Sequence, residues 1–102
     1  FVLFHEDFFG GVGGLIAARL AEKYHRPAVV LSPKDKNMAT ASARCPEDFH
    51  LAKALKELSH LLEGHGGHQC AAGFSIQQKN IPDFTKAFHD LVEKERGKVP
   101  PL

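Results

Sequence analysis

The sequence predicts one small α/β domain: a mixed, mostly parallel sheet of about four to five strands flanked by three helices. Two observations carry this. Short apolar runs suited to buried strands alternate with stretches whose apolar residues recur every three or four positions. The first alternation, strand, helix, strand within residues 1–31, has the form of a βαβ unit, which implies parallel neighbours and a right-handed crossover. A chain of 102 residues allows one core and little more.

The elements follow in order. Phe1-Val2-Leu3-Phe4 is fully apolar and reads as a buried strand, with His5-Glu6-Asp7 at its C-terminal end. Gly10-Gly11-Val12-Gly13-Gly14 leads into a helix whose apolar face is Val12, Ile16, Leu20 and Tyr24, with Leu15 beside it. Glycines before a helix can make an anion site, or can let the helix pack closely on a sheet. The spacing fits neither a dinucleotide fingerprint nor a P-loop, so both readings stay open. Pro27 ends the helix. Ala28–Leu31 is a second apolar strand, Ser32–Asn37 a polar loop, and Met38–Ala43 a third strand of small residues ending at Arg44. A second helix starts at Pro46-Glu47-Asp48, with Asp48 as N-cap. Its stripe runs Leu51, Ala54, Leu55, Leu58, Leu61, Leu62 to a stop at Gly64. A glycine turn follows, then a short strand at Ala71–Ile76. Asn80 caps a last helix with core face Ile81, Phe84, Phe88, Leu91 and Val92, closed by Gly97. Residues 1–98 form the domain, and Val99-Pro100-Pro101 reads as the start of a linker.

Composition narrows the function. Hydrophobic residues at 43% and charged residues at 25% are ordinary for a globular protein. A net charge of +1 excludes a polybasic surface, so any nucleic-acid contact is local. Cys45 and Cys70 make no disulfide framework and read as reduced thiols, which points to the cytoplasm. No apolar run approaches the roughly 20 residues that span a bilayer, and Phe1–Phe4 is not a signal peptide, so no membrane partner is expected. Both ends read as cuts in a longer protein.

The densest chemistry lies in Gly66-Gly67-His68-Gln69-Cys70-Ala71-Ala72-Gly73-Phe74. So many small residues imply positive φ angles or something bulky pressed against the backbone. His68 adds a group that donates, accepts or carries charge near neutral pH. A tight turn with a structural histidine is the alternative. His60, His65, His68 and Cys70 invite a zinc reading, but their spacing matches no finger or ribbon. His5 and Asp7 are two possible ligands and do not complete a site, so no metal site is assigned. Arg44 at a strand end offers a planar fork for phosphate or carboxylate.

These motifs converge on a family. Gly66-Gly67-His68-Gln69-Cys70-Ala71-Ala72-Gly73 resembles the Gly-Gly-His-x-x-Ala-Ala-Gly motif of DHH-associated domains in the DHH phosphoesterase superfamily. Residues 11–20 resemble the Gly-Val-x-Gly-x-x-Ala-Ser-Arg-Leu helix of RecJ-type exonucleases, Arg26–Leu31 their next strand, Ser42-Ala43-Arg44 their Ser-x-Arg-Ser element, and Leu51–Leu55 the helix after it. The likeness covers nearly the whole chain in order. It implies the DHH-associated fold and the substrate-binding half of a 5′-to-3′ single-stranded-DNA exonuclease acting in repair and recombination. The catalytic Asp-His-His motif and the Mn²⁺ or Mg²⁺ ions belong to a separate N-terminal domain, the partner in cis. No catalytic residue is expected here, and His68 is auxiliary, contacting the phosphate or the terminal nucleotide. Gly66, Gly67, Ala71, Ala72 and Gly73 would bring the strand against main chain, and Arg44 would neutralise phosphate. His5 and Arg19 are further candidates. Cys45 stands where serine is usual, and Ala18 replaces the serine before Arg19. Other substrates of the superfamily, short oligoribonucleotides or a cyclic dinucleotide, are the alternative, as is a non-catalytic RNA- or protein-interaction module.

Overall fold

The computed structural model describes residues 2–4, 12–47, 49–67 and 69–96. The expectations for His5, Asp7, Gly10-Gly11, Asp48, His68, Gly97 and the linker boundary fall outside them. The elements are β1 (Val2–Phe4), α1 (Val12–Tyr24), β2 (Ala28–Pro33), β3 (Met38–Arg44), α2 (Leu51–Glu57), β4 (Leu62–Gly67), β5 (Ala71–Gln77) and α3 (Ile81–Arg96), with single 3₁₀ turns at Ser59–Leu61 and Gln78–Asn80. The result is the expected α/β domain: three helices on a mixed five-stranded sheet of order β1-β2-β3-β5-β4.

Strand direction departs from the expectation. β1 and β2 are parallel, as the βαβ unit requires, but β2–β3, β3–β5 and β4–β5 are all antiparallel. The sheet is mixed but not mostly parallel. The reason is connection length. Only residues 34–37 join β2 to β3 and only 68–70 join β4 to β5, while a parallel crossover needs about a dozen residues or more.

The second helix is also shorter than its leucine stripe. Its N-cap is His50, whose Nδ1 accepts the Lys53 N–H at 3.2 Å. It ends at Glu57. The Leu58 N–H is shared between the Ala54 and Leu55 carbonyls at 3.2 Å each, which tightens the chain into the 3₁₀ turn. Leu61 and Leu62 therefore leave the helix. Gly64 is not a helix stop, and His65-Gly66-Gly67 is not a turn: all belong to edge strand β4. The first helix ends as its sequence implies. His25 takes a left-handed conformation (φ 52°) just after Tyr24, and Pro27 follows.

The two faces of the sheet differ. Side chains alternate along a strand. On one face Val29, Leu31, Ala39, Ala41, Ala43, Ala72, Phe74 and Ile76 form the main core with α2 and α3. Phe84 of α3 meets Phe74 at 5.1 Å between centroids and stacks on Phe88 at 5.5 Å. Both α3 rings are essentially fully buried, a contribution of about 1.5–3 kcal/mol each. On the other face α1 lays Ala17 and Ala21 on Ala28 and Val30, a small second core. Gly13 and Gly14 lie in the first turn of α1. A Cβ on Gly13 would touch Val30 at 3.6 Å, and one on Gly14 would come 3.7 Å from the Ser42 hydroxyl. Those contacts are ordinary; the tight one is at Gly14, where a Cβ would come 3.3 Å from the Arg44 Nη2, so close packing of the helix, the second of the two readings, asks for glycine at Gly14 and not at Gly13.

Candidate nucleic-acid interface

The second face is only partly covered. α1 packs on β2 and β3. Beyond them, on β5 and β4, Gly73, Gly64 and Gly66 are exposed, and Ala71 and Ser75 are half-buried. Register places these residues in rows. One row is Val30, Ser42, Gly73, Gly66, running from beneath the first turn of α1 to the sheet edge. The next outward is Ala28, Arg44, Ala71. On the other side lie Ser32, Thr40, Ser75 and Gly64, with the Ser32 and Thr40 hydroxyls 3.4 Å apart. None of these row residues is acidic, so this part of the face is a floor of small neutral side chains with Arg44 at its border.

The glycines of the motif divide by cause. None of the described glycines has a positive φ, so left-handed backbone does not explain them. Gly67 faces the core side opposite Ala72, and a Cβ there would come 2.5 Å from both the Ala72 Cα and Cβ. Its smallness is a packing requirement. Gly66 faces the open side opposite Gly73, and a Cβ there would meet nothing within 4 Å. A Cβ on Gly73 would make only ordinary contact, 3.6 Å from the Ala41 carbonyl. Internal packing demands glycine at neither Gly66 nor Gly73.

Arg44 is half-buried beside α1. Its Nη1 donates to its own neighbour, the Ala43 carbonyl, at 2.9 Å, and its Nη2 would lie 3.3 Å from a Cβ on Gly14. The guanidinium also borders a cleft of about 540 Å³ with Ala18, Glu22, His25, Glu47 and Cys70. The segment after β5's partner strand is pinned to this cleft. The Cys45 N–H donates to the Cys70 carbonyl at 3.0 Å, the Leu51 N–H to the Gln69 carbonyl at 2.8 Å, and the Gln69 amide to the Glu47 carbonyl at 3.1 Å. Cys45 faces the core. Its thiol donates to the Phe49 carbonyl at 3.1 Å and lies 3.2 Å from that of Gln69. A side chain at this position serves the loop rather than the open face.

The structure therefore brings Arg44, Gly66, Ala71 and Gly73 to one surface. Ala72 points the other way, 7% exposed in the core, and Gly67 shares its side. Arg19 is exposed on α1 and does not line the cleft. Ser75, Thr40 and Gly64 also reach the open face and were not among the expected site residues; period-2 alternation through Ser42 and Gly73 is the signal that finds them. Among the described residues, which include His60, His65 and Cys70 but not His68, no three histidine, cysteine or acidic groups cluster to hold a metal.

Known proteins share this sequence and fold. The single-stranded-DNA-specific exonuclease RecJ of Bacillus subtilis is 33% identical over 84 residues, covering 81% of this chain and 11% of that protein. Its counterpart in Escherichia coli is 32% identical over 94 residues, covering 88% and 16%. The chain thus spans a small part of the length of these relatives. The crystal structure of RecJ from Thermus thermophilus in complex with Mg²⁺ superposes with a TM-score of 0.79 at 27% identity, over 91% of this chain and 14% of that one. The C-Ala domain of Aquifex aeolicus alanyl-tRNA synthetase shares the fold, with a TM-score of 0.74 at 12% identity over 89% of each chain. Residues 1–94 match the profile of the DHHA1 domain, and the chain belongs to that family.

Proposed function

We propose that this chain is the substrate-binding half of a RecJ-type, metal-dependent 5′-to-3′ single-stranded-DNA exonuclease, cytoplasmic and acting in repair and recombination. One observation carries the reading. Gly66 and Gly73 face each other across β4 and β5 on the open side, with no internal reason to be glycine, on the sheet face that also carries Arg44. A sugar-phosphate strand lying on that floor explains all three. Arg44 then offsets phosphate charge, and the bare backbone lets the strand lie within van der Waals contact of main chain. His68, next after Gly67 in sequence, contacts the terminal phosphate in this reading. The names of the relatives supply the strand's identity as DNA.

RecJ structures hold Mg²⁺ or Mn²⁺. The described residues offer no three-ligand group for either ion. The proposal assigns the metal chemistry to a separate DHH domain and the binding of the strand to this one. Among the described residues no helix is long and apolar enough to cross a membrane.

Replacing Arg44 by alanine in the full-length protein tests the reading. Loss of one charge-assisted phosphate contact is expected to weaken single-stranded-DNA binding about tenfold. The salt dependence should fall by about 0.7 in log–log slope. The unfolding midpoint should stay unchanged, and Arg44→Lys should recover part of the affinity. Unchanged affinity in the alanine variant refutes the assignment. A length series of labelled strands separates the substrates: cleavage that favours long DNA supports this reading, and equal or better cleavage of short RNA overturns it.

A further inference from the structure

We infer that the open face continues into a second phosphate site at its far end, formed by Lys36 and Lys79, so that this domain holds a stretch of single strand and not only its terminus. The inference rests on the reading just proposed. Arg44 and Met38 are the two ends of β3, six residues apart, which at ~3.3 Å per residue is about 20 Å. Both lie on the same face by alternation, as do Ser42 and Thr40 between them. At the Met38 end a cavity of about 530 Å³ is lined by Lys36, Asn37, Met38, Gln77 and Lys79. Met38 and Gln77 are direct cross-strand neighbours on the open side, so this cavity is the continuation of the same floor.

The two lysines come from different segments, and those segments are fastened together. The Gln78 N–H donates to the Asn37 carbonyl at 2.7 Å. The Gln78 side-chain amide donates to the Asp35 carbonyl at 2.7 Å and to the Met38 carbonyl at 3.1 Å. The hairpin turn is closed in turn by Asp35, whose carboxylate accepts the Asn37 and Met38 N–H groups at 2.8 Å each. These bonds hold its carboxyl below the usual carboxylate range. Glu63 at the edge accepts from the Gln77 amide. Among the described residues neither Lys36 nor Lys79 is paired with a carboxylate. The backbone beneath the two ammonium groups is therefore fixed, and among the described residues neither ammonium is tied up in an ion pair.

A strand bordered by Arg44 at one end and two lysines about 20 Å away meets positive charge at both ends and neutral small residues between. At ~3.4 Å per stacked nucleotide this distance is about six nucleotides, and fewer for an extended strand. Such a strand matches the charge pattern of the face. A dinucleotide at Arg44 does not reach the lysines.

The test uses the full-length protein with metal chelated to stop cleavage, and fluorescent oligothymidylates of twelve and two nucleotides. In a Lys36→Ala/Lys79→Ala double variant the long probe is expected to bind about fivefold to tenfold more weakly, with its salt slope reduced by about 1.4, at ~0.7 per phosphate contact. The dinucleotide should bind as before. A Lys53→Ala/Lys86→Ala variant on α2 and α3 removes the same charge elsewhere and should change neither. Unchanged binding of the long probe overturns the second site. So does an equal loss for both probes, or an equal loss in the α2/α3 control. Arg44→Ala run in parallel separates the two claims: if it weakens both probes while the double lysine variant weakens neither, only the second site fails; if it weakens neither probe, the underlying reading fails with it.

Discussion

Gly66→Val is expected to leave the domain folded and to abolish most of its function. A Cβ at Gly66 meets nothing within 4 Å, and no described glycine has a positive φ, so neither contact nor backbone opposes the substitution. Glycine inside a strand costs about 0.5–1 kcal/mol relative to alanine, and valine suits a strand better still. The thermal midpoint should hold or rise. Binding should move the other way. The valine side chain would stand on the open face opposite Gly73, where the proposed strand lies. Lifting a substrate by about 1 Å can cost on the order of 100-fold in rate, and the isopropyl group displaces it by more. Turnover by the full-length enzyme on single-stranded DNA, measured beside thermal unfolding, checks both halves. Gly66→Ala should fall between. A valine variant that cuts DNA like wild type would remove the only reason found for this glycine, and with it the proposed floor.

How much of this was legible in the sequence depends on what each signal depends on. The apolar runs at Val29–Leu31 and the Phe84/Phe88 face are buried on contact with the core, and burial is what hydrophobic pattern records. β4 was not legible. Leu-Glu-Gly-His-Gly-Gly has little intrinsic strand preference, and its first residue, Leu62, extends the leucine stripe of the helix before it. It becomes a strand because β5 offers a partner, a tertiary fact. Strand direction fell between these cases. Apolar periodicity is blind to it, whereas the four-residue connection before Met38 already ruled out a parallel crossover. Arg44 and the glycine motif were found by residue type, but which of them share a side needed the register. Ala71-Ala72-Gly73 looks uniform in sequence. In the sheet, Ala72 packs into the core while its neighbours face outward.

The same alternation makes the neighbouring glycine the opposite case. Gly67→Ala should destabilise the fold by about 2 kcal/mol, a cost typical of overpacking, and lower the thermal midpoint of the chain by about 10 °C. Its Cβ would sit 2.5 Å from the Ala72 Cα, 2.5 Å from the Ala72 Cβ and 2.6 Å from the Ala71 carbonyl oxygen. Two of those three atoms are backbone of β5, which is held on its other side by β3 along its whole length. β5 cannot give, so the end of β4 must swing away and release the pairing that sets Gly66 opposite Gly73. Combining Gly67→Ala with Ala72→Gly removes only the Cβ–Cβ overlap and should recover less than half of the loss. Circular-dichroism melts of the two single variants, the pair and Gly66→Ala measure the whole cycle. Gly67→Ala within about 0.5 kcal/mol of wild type would show that β4 yields easily, and that its pairing with β5 is too soft to hold a glycine floor in place.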